Sequence, residues 1–132
     1  MTEDKLMNID HVAIYVSDLV AEINFFVKYF GAKSDDGYHN PAKKFRSYFL
    51  TFDDGSRLEV MNREDITEHA GIRLGFHHIA LNVGDKQAVD DLTANMAHDG
   101  ISVISAPRTT GDGYYESVVL DPEGNSIELV SY

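Results

Sequence analysis

Residues 9–16 alternate apolar and polar positions and are rich in Val, Ile and Tyr, which predicts a strand. The period then lengthens. Leu19, Ile23, Phe26 and Phe30 fall at helical spacing, so a helix is expected near 19–30, with Asp18 as its N-cap, that stripe buried and Gly31 as its stop. A short segment near 32–38 and a loop through Asn40 and Pro41 lead into strands at 45–52 and 57–62. Asp53-Asp54-Gly55 forms the hairpin turn between those strands. The same order then returns. A strand at 77–83 is followed by Asp85 as cap and a helix near 86–99 that buries Val89, Leu92 and Met96 and ends at Gly100. Strands near 101–105, 114–120 and 126–131 complete the chain, with Asp121-Pro122-Glu123-Gly124 as the last turn. Each half reads β-α-β-β-β, the second strand of the first half being weakly signalled. The expected organisation is α+β, in one domain of two modules, residues 8–62 and 76–132, joined by a polar linker at 63–75.

The repetition extends to single residues. His11-Val12-Ala13-Ile14-Tyr15-Val16-Ser17-Asp18 matches His78-Ile79-Ala80-Leu81-Asn82-Val83-Gly84-Asp85, about half the chain further on. Gly55-Ser56-Arg57-Leu58-Glu59-Val60 likewise matches Gly124-Asn125-Ser126-Ile127-Glu128-Leu129. The chain therefore carries an internal duplication, and each copy places one His and one Glu at equivalent points. Two His and two Glu brought together make a nitrogen and oxygen donor set for a metal ion with open positions.

Other readings of these residues exist. A lone strand histidine is most often a packing residue. A strand glutamate between apolar neighbours can face solvent, as Arg57, Glu59 and Met61 share one face. The register of the duplication favours the metal reading, because ligand types recur with it. It also selects His78 over its neighbour His77, since only His78 aligns with His11; His77 is expected to point outward or to pack. His39, His69 and His98 fall in loops or at a helix end and read as surface residues.

Composition narrows the function classes. At 132 residues and 43% hydrophobic content the chain has one domain's worth of core. A formal net charge of −11 argues against nucleic acid and anionic membrane surfaces as partners. There is no cysteine, which excludes disulfides, a thiol nucleophile and thiolate-bound zinc. The opening Met1-Thr2-Glu3-Asp4-Lys5 lacks the basic start and apolar run of a signal peptide. No apolar run approaches the roughly 18 residues of a membrane span. A cytoplasmic location is the expectation.

The two His-[Val/Ile]-Ala-[Ile/Leu] strands, Phe25-Phe26-Val27-Lys28-Tyr29-Phe30-Gly31 and Asp121-Pro122-Glu123-Gly124-Asn125-Ser126-Ile127-Glu128-Leu129 resemble the vicinal oxygen chelate superfamily. That group includes glyoxalases, bleomycin-resistance proteins and extradiol dioxygenases. The resemblance covers essentially the whole chain. It implies two tandem βαβββ modules whose curled mixed sheets surround a metal cleft. Compact bacterial glyoxalase I proteins take one His and one Glu from each module, and His11, Glu59, His78 and Glu128 fill those slots here. Two departures accompany the match. Where glyoxalase I has an Arg four residues beyond the first His, holding glutathione, this chain has Tyr15. Where it has an Asn four residues beyond the first Glu, this chain has Arg63, with Asn62 one place early. The metal site carries over; the glutathione-binding set does not.

Four protein ligands leave about two of six octahedral positions open, side by side. A substrate with neighbouring oxygens fits there, and the ion acts as a Lewis acid on an enediolate-like oxyanion. One Glu serves as general base. The resemblance to glyoxalase I names Glu128, with Glu59 as the symmetric alternative. The expected function is that of a divalent-metal-dependent lyase or isomerase of the glyoxalase type. One ion per chain is expected, and Ni, Co, Zn, Mn and Fe all suit sulfur-free donors. Three other classes stay open: a metal-free small-molecule-binding resistance protein, an extradiol dioxygenase and a thiol transferase. The latter two use two His and one Glu, which leaves Glu59 supernumerary. Arg46, Tyr48, Tyr15 and Tyr115 are the candidate substrate contacts, with Tyr114 and with Arg108 in a loop. Uncovered sheet edges and helix faces, together with the resemblance, point to a homodimer. Whether one site uses both halves of one chain or halves of two is open.

Overall fold

The computed structural model describes residues 7–69 and 71–132. Residues 1–5, read above for a leader, lie outside it, as does Ala70 in the linker. The chain divides between Ile66 and Thr67 into two compact units. Among the described residues, no helix is long and apolar enough to cross a membrane.

The first unit runs β1 (His11–Tyr15), α1 (Leu19–Phe30), β2 (Lys33–Ser34), β3 (Tyr38–Asn40), a 3₁₀ turn (Pro41–Lys43), β4 (Phe45–Thr51) and β5 (Arg57–Arg63). Its sheet has the order β1-β5-β4-β2, with β3 also paired to β4. The first strand lies parallel to the last, and the remaining pairs are antiparallel. The second unit runs β6 (His78–Gly84), α2 (Lys86–His98), β7 (Val103–Thr109), β8 (Tyr115–Leu120) and β9 (Ser126–Ser131). Its order is β6-β9-β8-β7, again with the first strand parallel to the last. The fold is α+β, and both sheets are mixed and open, with free strands at their ends.

The same local devices build both helices. Asp18 and Asp85 stand before them in extended conformation, and each carboxylate accepts a backbone N–H three residues on, from Ala21 and Ala88. These bonds satisfy orphan donors of the first turn. Gly31 ends α1 in the left-handed region, at φ 65°. Asp18→Ala is expected to lower stability by about 1 kcal/mol. A urea titration reads this as a shifted midpoint with unchanged slope.

The buried stripes differ from the expected ones. In α1 the fully buried residues are Glu22, Phe25 and Phe26, while Leu19, Ile23 and Phe30 are half-buried. Phe26, common to the expected and observed stripes, packs edge-on to Phe25 and to Phe52 beyond β4. In α2, Val89 and Met96 are buried as expected, but Thr93 takes the core position instead of Leu92. Its hydroxyl donates to the Val89 carbonyl at 2.6 Å and accepts from Ser117 at 2.7 Å. A buried polar pair satisfied in this way carries no desolvation penalty for an unmade bond.

Two strands also depart from expectation. The weakly signalled strand of the first unit is two short ones, β2 and β3, both antiparallel to β4. Asp35 makes the break: its carboxylate accepts from the amides of Gly37 and Phe49. Gly37, at φ 83°, lets the chain pass the Tyr48 ring, where a Cβ would stand 2.5 Å from a ring carbon. In the second unit, β7 runs on to Thr109, so Arg108 is a strand residue and not a loop one. Pro107 is tolerated there because β7 is an edge strand whose pairing shifts register between Ser105 and Arg108.

Candidate functional site

The parallel pairing of first and last strands sets each His beside its Glu. In the first unit His11 pairs with Arg57 and Ala13 with Glu59, so His11 and Glu59 project from the same side of the sheet. His11 Nε2 lies 3.5 Å from Glu59 Oε1. In the second unit His78 pairs with Ser126 and Ala80 with Glu128. His78 Nε2 lies 3.3 Å from Glu128 Oε1. The side away from the pairs carries the core: Leu58, Val60, Ile127 and Leu129 are buried there. The imidazoles are each 36% exposed and the carboxylates 18% and 20%. Neither a sealed core position nor a freely solvated surface suits those values; both pairs sit at an accessible, partly desolvated face.

The surroundings differ between the copies. Asp10 Oδ2 accepts from His11 Nδ1 at 2.7 Å and from Arg57 Nη2 at 2.6 Å. The hydrogen bond from His11, followed by that from Arg57, holds the Asp10 carboxyl below its usual range. Phe49, the partner of Glu59 across the ladder, meets the His11 ring edge-on, and the Arg57 guanidinium lies 4.4 Å from the Phe49 ring centre. In the second copy Ser126 replaces Arg57 and His77 replaces Asp10. His77 Nδ1 and His78 Nδ1 are 2.9 Å apart, with their rings near perpendicular. Of the two roles expected for His77, outward-pointing or packing, the ring contact with His78 fits packing. Glu116, on β8, has its carboxyl pushed up by burial and then by the adjacent Glu128 carboxyl.

The candidate substrate contacts separate by strand parity. Tyr15, 44% exposed, shares the His11 and Glu59 side of the sheet. Arg46 and Tyr48 pair with Asn62 and Val60 and belong to the opposite side. Tyr115 is on the helix side too: its hydroxyl donates to Asp90 of α2, which raises the phenol above its ordinary range. The sequence reading missed Phe49, Asp10, Arg57 and Glu116. Counting back across the hairpin turn from Glu59 reaches Phe49, so that residue had a usable signal.

Among the described residues no group of three or more His, Cys, Asp or Glu side chains is placed to hold an ion. The two pairs nevertheless suit one by their chemistry. Two donors at about 2.1 Å from an ion, at right angles, stand about 3 Å apart, close to the separations seen in both pairs. Asp10 takes up the Nδ1 side of the His11 ring, which leaves Nε2 as the nitrogen turned toward Glu59.

The family model for the "Glyoxalase/Bleomycin resistance protein/Dioxygenase superfamily" matches residues 8–129. A Bacillus subtilis protein of unknown function, YwbC, is 27% identical over 125 residues, 92% of this chain and 94% of its own. The trypanothione-dependent glyoxalase I of Leishmania major is 26% identical with a TM-score of 0.77, over 96% of this chain and 87% of that one. A maize glyoxalase I mutant is similar in fold, with a TM-score of 0.78 at 24% identity; the match covers 93% of this chain but only 44% of the maize chain.

Proposed function

We propose that this chain, which belongs to the Glyoxalase/Bleomycin resistance protein/Dioxygenase superfamily, is a divalent-metal-dependent enzyme of the glyoxalase type acting on a small molecule with neighbouring oxygens. The observation that carries the proposal is the recurrence of one His–Glu pair, 3.3–3.5 Å apart, in register with the duplication. His11, Glu59, His78 and Glu128 would hold the ion. When bound, such an ion supplies Lewis acidity toward oxygens of the substrate.

The remaining chemistry belongs to the chain. Glu128 is the proposed general base, taking a proton from carbon on its carboxylate oxygen, with Glu59 as the symmetric alternative. Both carboxylates are partly buried and each stands beside the His of its own unit. Tyr15, Phe49 and Met61 share the same side of the first sheet, together with Arg57, and would offer apolar surface to the substrate. Arg46, Tyr48 and Tyr115 are left out of this set by their placement. The full use of two carboxylates separates this reading from the two-His, one-Glu chemistries of the same superfamily.

The functional unit is a homodimer in this proposal. The edge strands β1 and β6 and the segments before them expose Ile9, Val12, Ile72, Leu74 and Phe76, an apolar set that a second copy would cover. One experiment addresses both points. Sedimentation equilibrium at micromolar concentration, with elemental analysis of the same sample after loading with a divalent ion, is expected to give a dimer with one ion per chain. A metal-free monomer after loading would overturn the proposal.

A further inference from the structure

We infer that Asp10 is a positioning residue for the ion-facing nitrogen of His11, and that Arg57 holds Asp10 in place. The inference rests on the metal reading proposed above and extends it to residues outside the donor set.

A neutral imidazole has one protonated and one free nitrogen, and its partner decides which is which. The Asp10 carboxylate accepts from Nδ1–H at 2.7 Å, which leaves Nε2 as the ring nitrogen aimed toward Glu59. A carboxylate behind a metal-binding histidine fixes the ring and raises its basicity as a donor. Asp10 is itself 71% exposed and would wander alone; a lone surface ion pair does little. It does not stand alone. Arg57 binds the same oxygen at 2.6 Å and rests on Phe49, whose ring in turn abuts His11. Asp10, His11, Phe49 and Arg57 thus form a closed ring of contacts. The ladder places them there, because His11 and Arg57 are register partners and Phe49 faces Glu59.

The second copy supplies an internal comparison. It has the same strand pairing, but Ser126 stands opposite His78 and His77 precedes it. The same parallel pairing thus forms in the second unit without such a brace. Its effect falls on His11.

The test uses the full chain with Co(II) as the probe. Affinity is measured by calorimetry for the parent, Asp10→Ala, Asp10→Asn and Arg57→Ala, and the His11 tautomer is read in the metal-free proteins by ¹⁵N-resolved NMR. Asp10→Ala is expected to weaken Co(II) binding by about 10- to 100-fold and to release the Nδ1–H tautomer. Asp10→Asn keeps an acceptor oxygen and should recover part of the affinity, and Arg57→Ala should lie between. Asp65→Ala, which also removes one exposed negative charge, should bind like the parent. If the parent binds Co(II) and Asp10→Ala binds equally well with an unchanged tautomer, the positioning role is overturned and the metal reading survives. A parent that takes up no Co(II) overturns both.

Discussion

Replacing His11, Glu59, His78 or Glu128 by Ala is expected to weaken divalent-ion binding by more than about 100-fold, since losing even an outer partner of a metal ligand costs about 10- to 100-fold. Each side chain is partly exposed and packs on the side of its sheet away from the buried core, so the variants should fold. The effect is read by equilibrium dialysis with elemental analysis, with circular dichroism as the check on folding. Glu128→Gln separates the two roles of that residue. Its amide oxygen can still donate to an ion but cannot take a proton at neutral pH. Turnover should collapse by about 100-fold or more, with a smaller loss of binding. A His11→Ala variant that retains the parent's affinity would remove the foundation of the metal reading.

Turnover of the methylglyoxal–glutathione hemithioacetal is expected to be weak with Ni, Co, Mn or Zn alike. Glutathione is anionic, and the chain already carries a formal charge of −11. Tyr15 occupies the place where the resemblance calls for an Arg, on the same side of the sheet as the first His–Glu pair. The nearby alternatives are engaged. Arg63 closes a two-point fork on Asp65 at 2.7 and 3.0 Å. The Asn62 amide donates to the Val16 carbonyl at 2.8 Å, tying β5 to the end of β1. A missing charge-assisted contact in a desolvated site costs about 1.5–3 kcal/mol, or about 10- to 150-fold in affinity, and two such losses leave little specific binding. Thioester formation followed by absorbance decides the matter. An efficiency of about 10⁴ M⁻¹s⁻¹ or more would mean that another base has replaced the missing contact.

Much of the fold was legible because the duplication states each signal twice. A cap, a helix and a terminal turn that recur in the same order are hard to misplace, and the equivalence of the two His–Glu pairs follows from aligning the copies. What escaped was of two physical kinds. Strand alternation reveals two faces without saying which one carries the chemistry, so Arg46 and Tyr48 were chosen where Phe49 was the neighbour of Glu59. Short-range polar contacts also override pattern. Asp35 splits a strand by capturing two amides, and Ser117 makes a core position acceptable to Thr93. Asp10 and Arg57 are far apart in sequence and meet only through the ladder, so nothing local announced their ion pair.

The two sheets share no strand. Every ladder closes within its own unit, so an altered residue in one leaves the hydrogen-bond register of the other as it was. Duplication on such a frame gives two copies whose side chains can differ independently. The flanks of the two histidines have done so, with a carboxylate at one and a second imidazole at the other, while each His still faces its Glu. The two copies therefore keep the His–Glu juxtaposition in common and differ in the groups that touch each imidazole, so one repeated frame carries two different histidine environments.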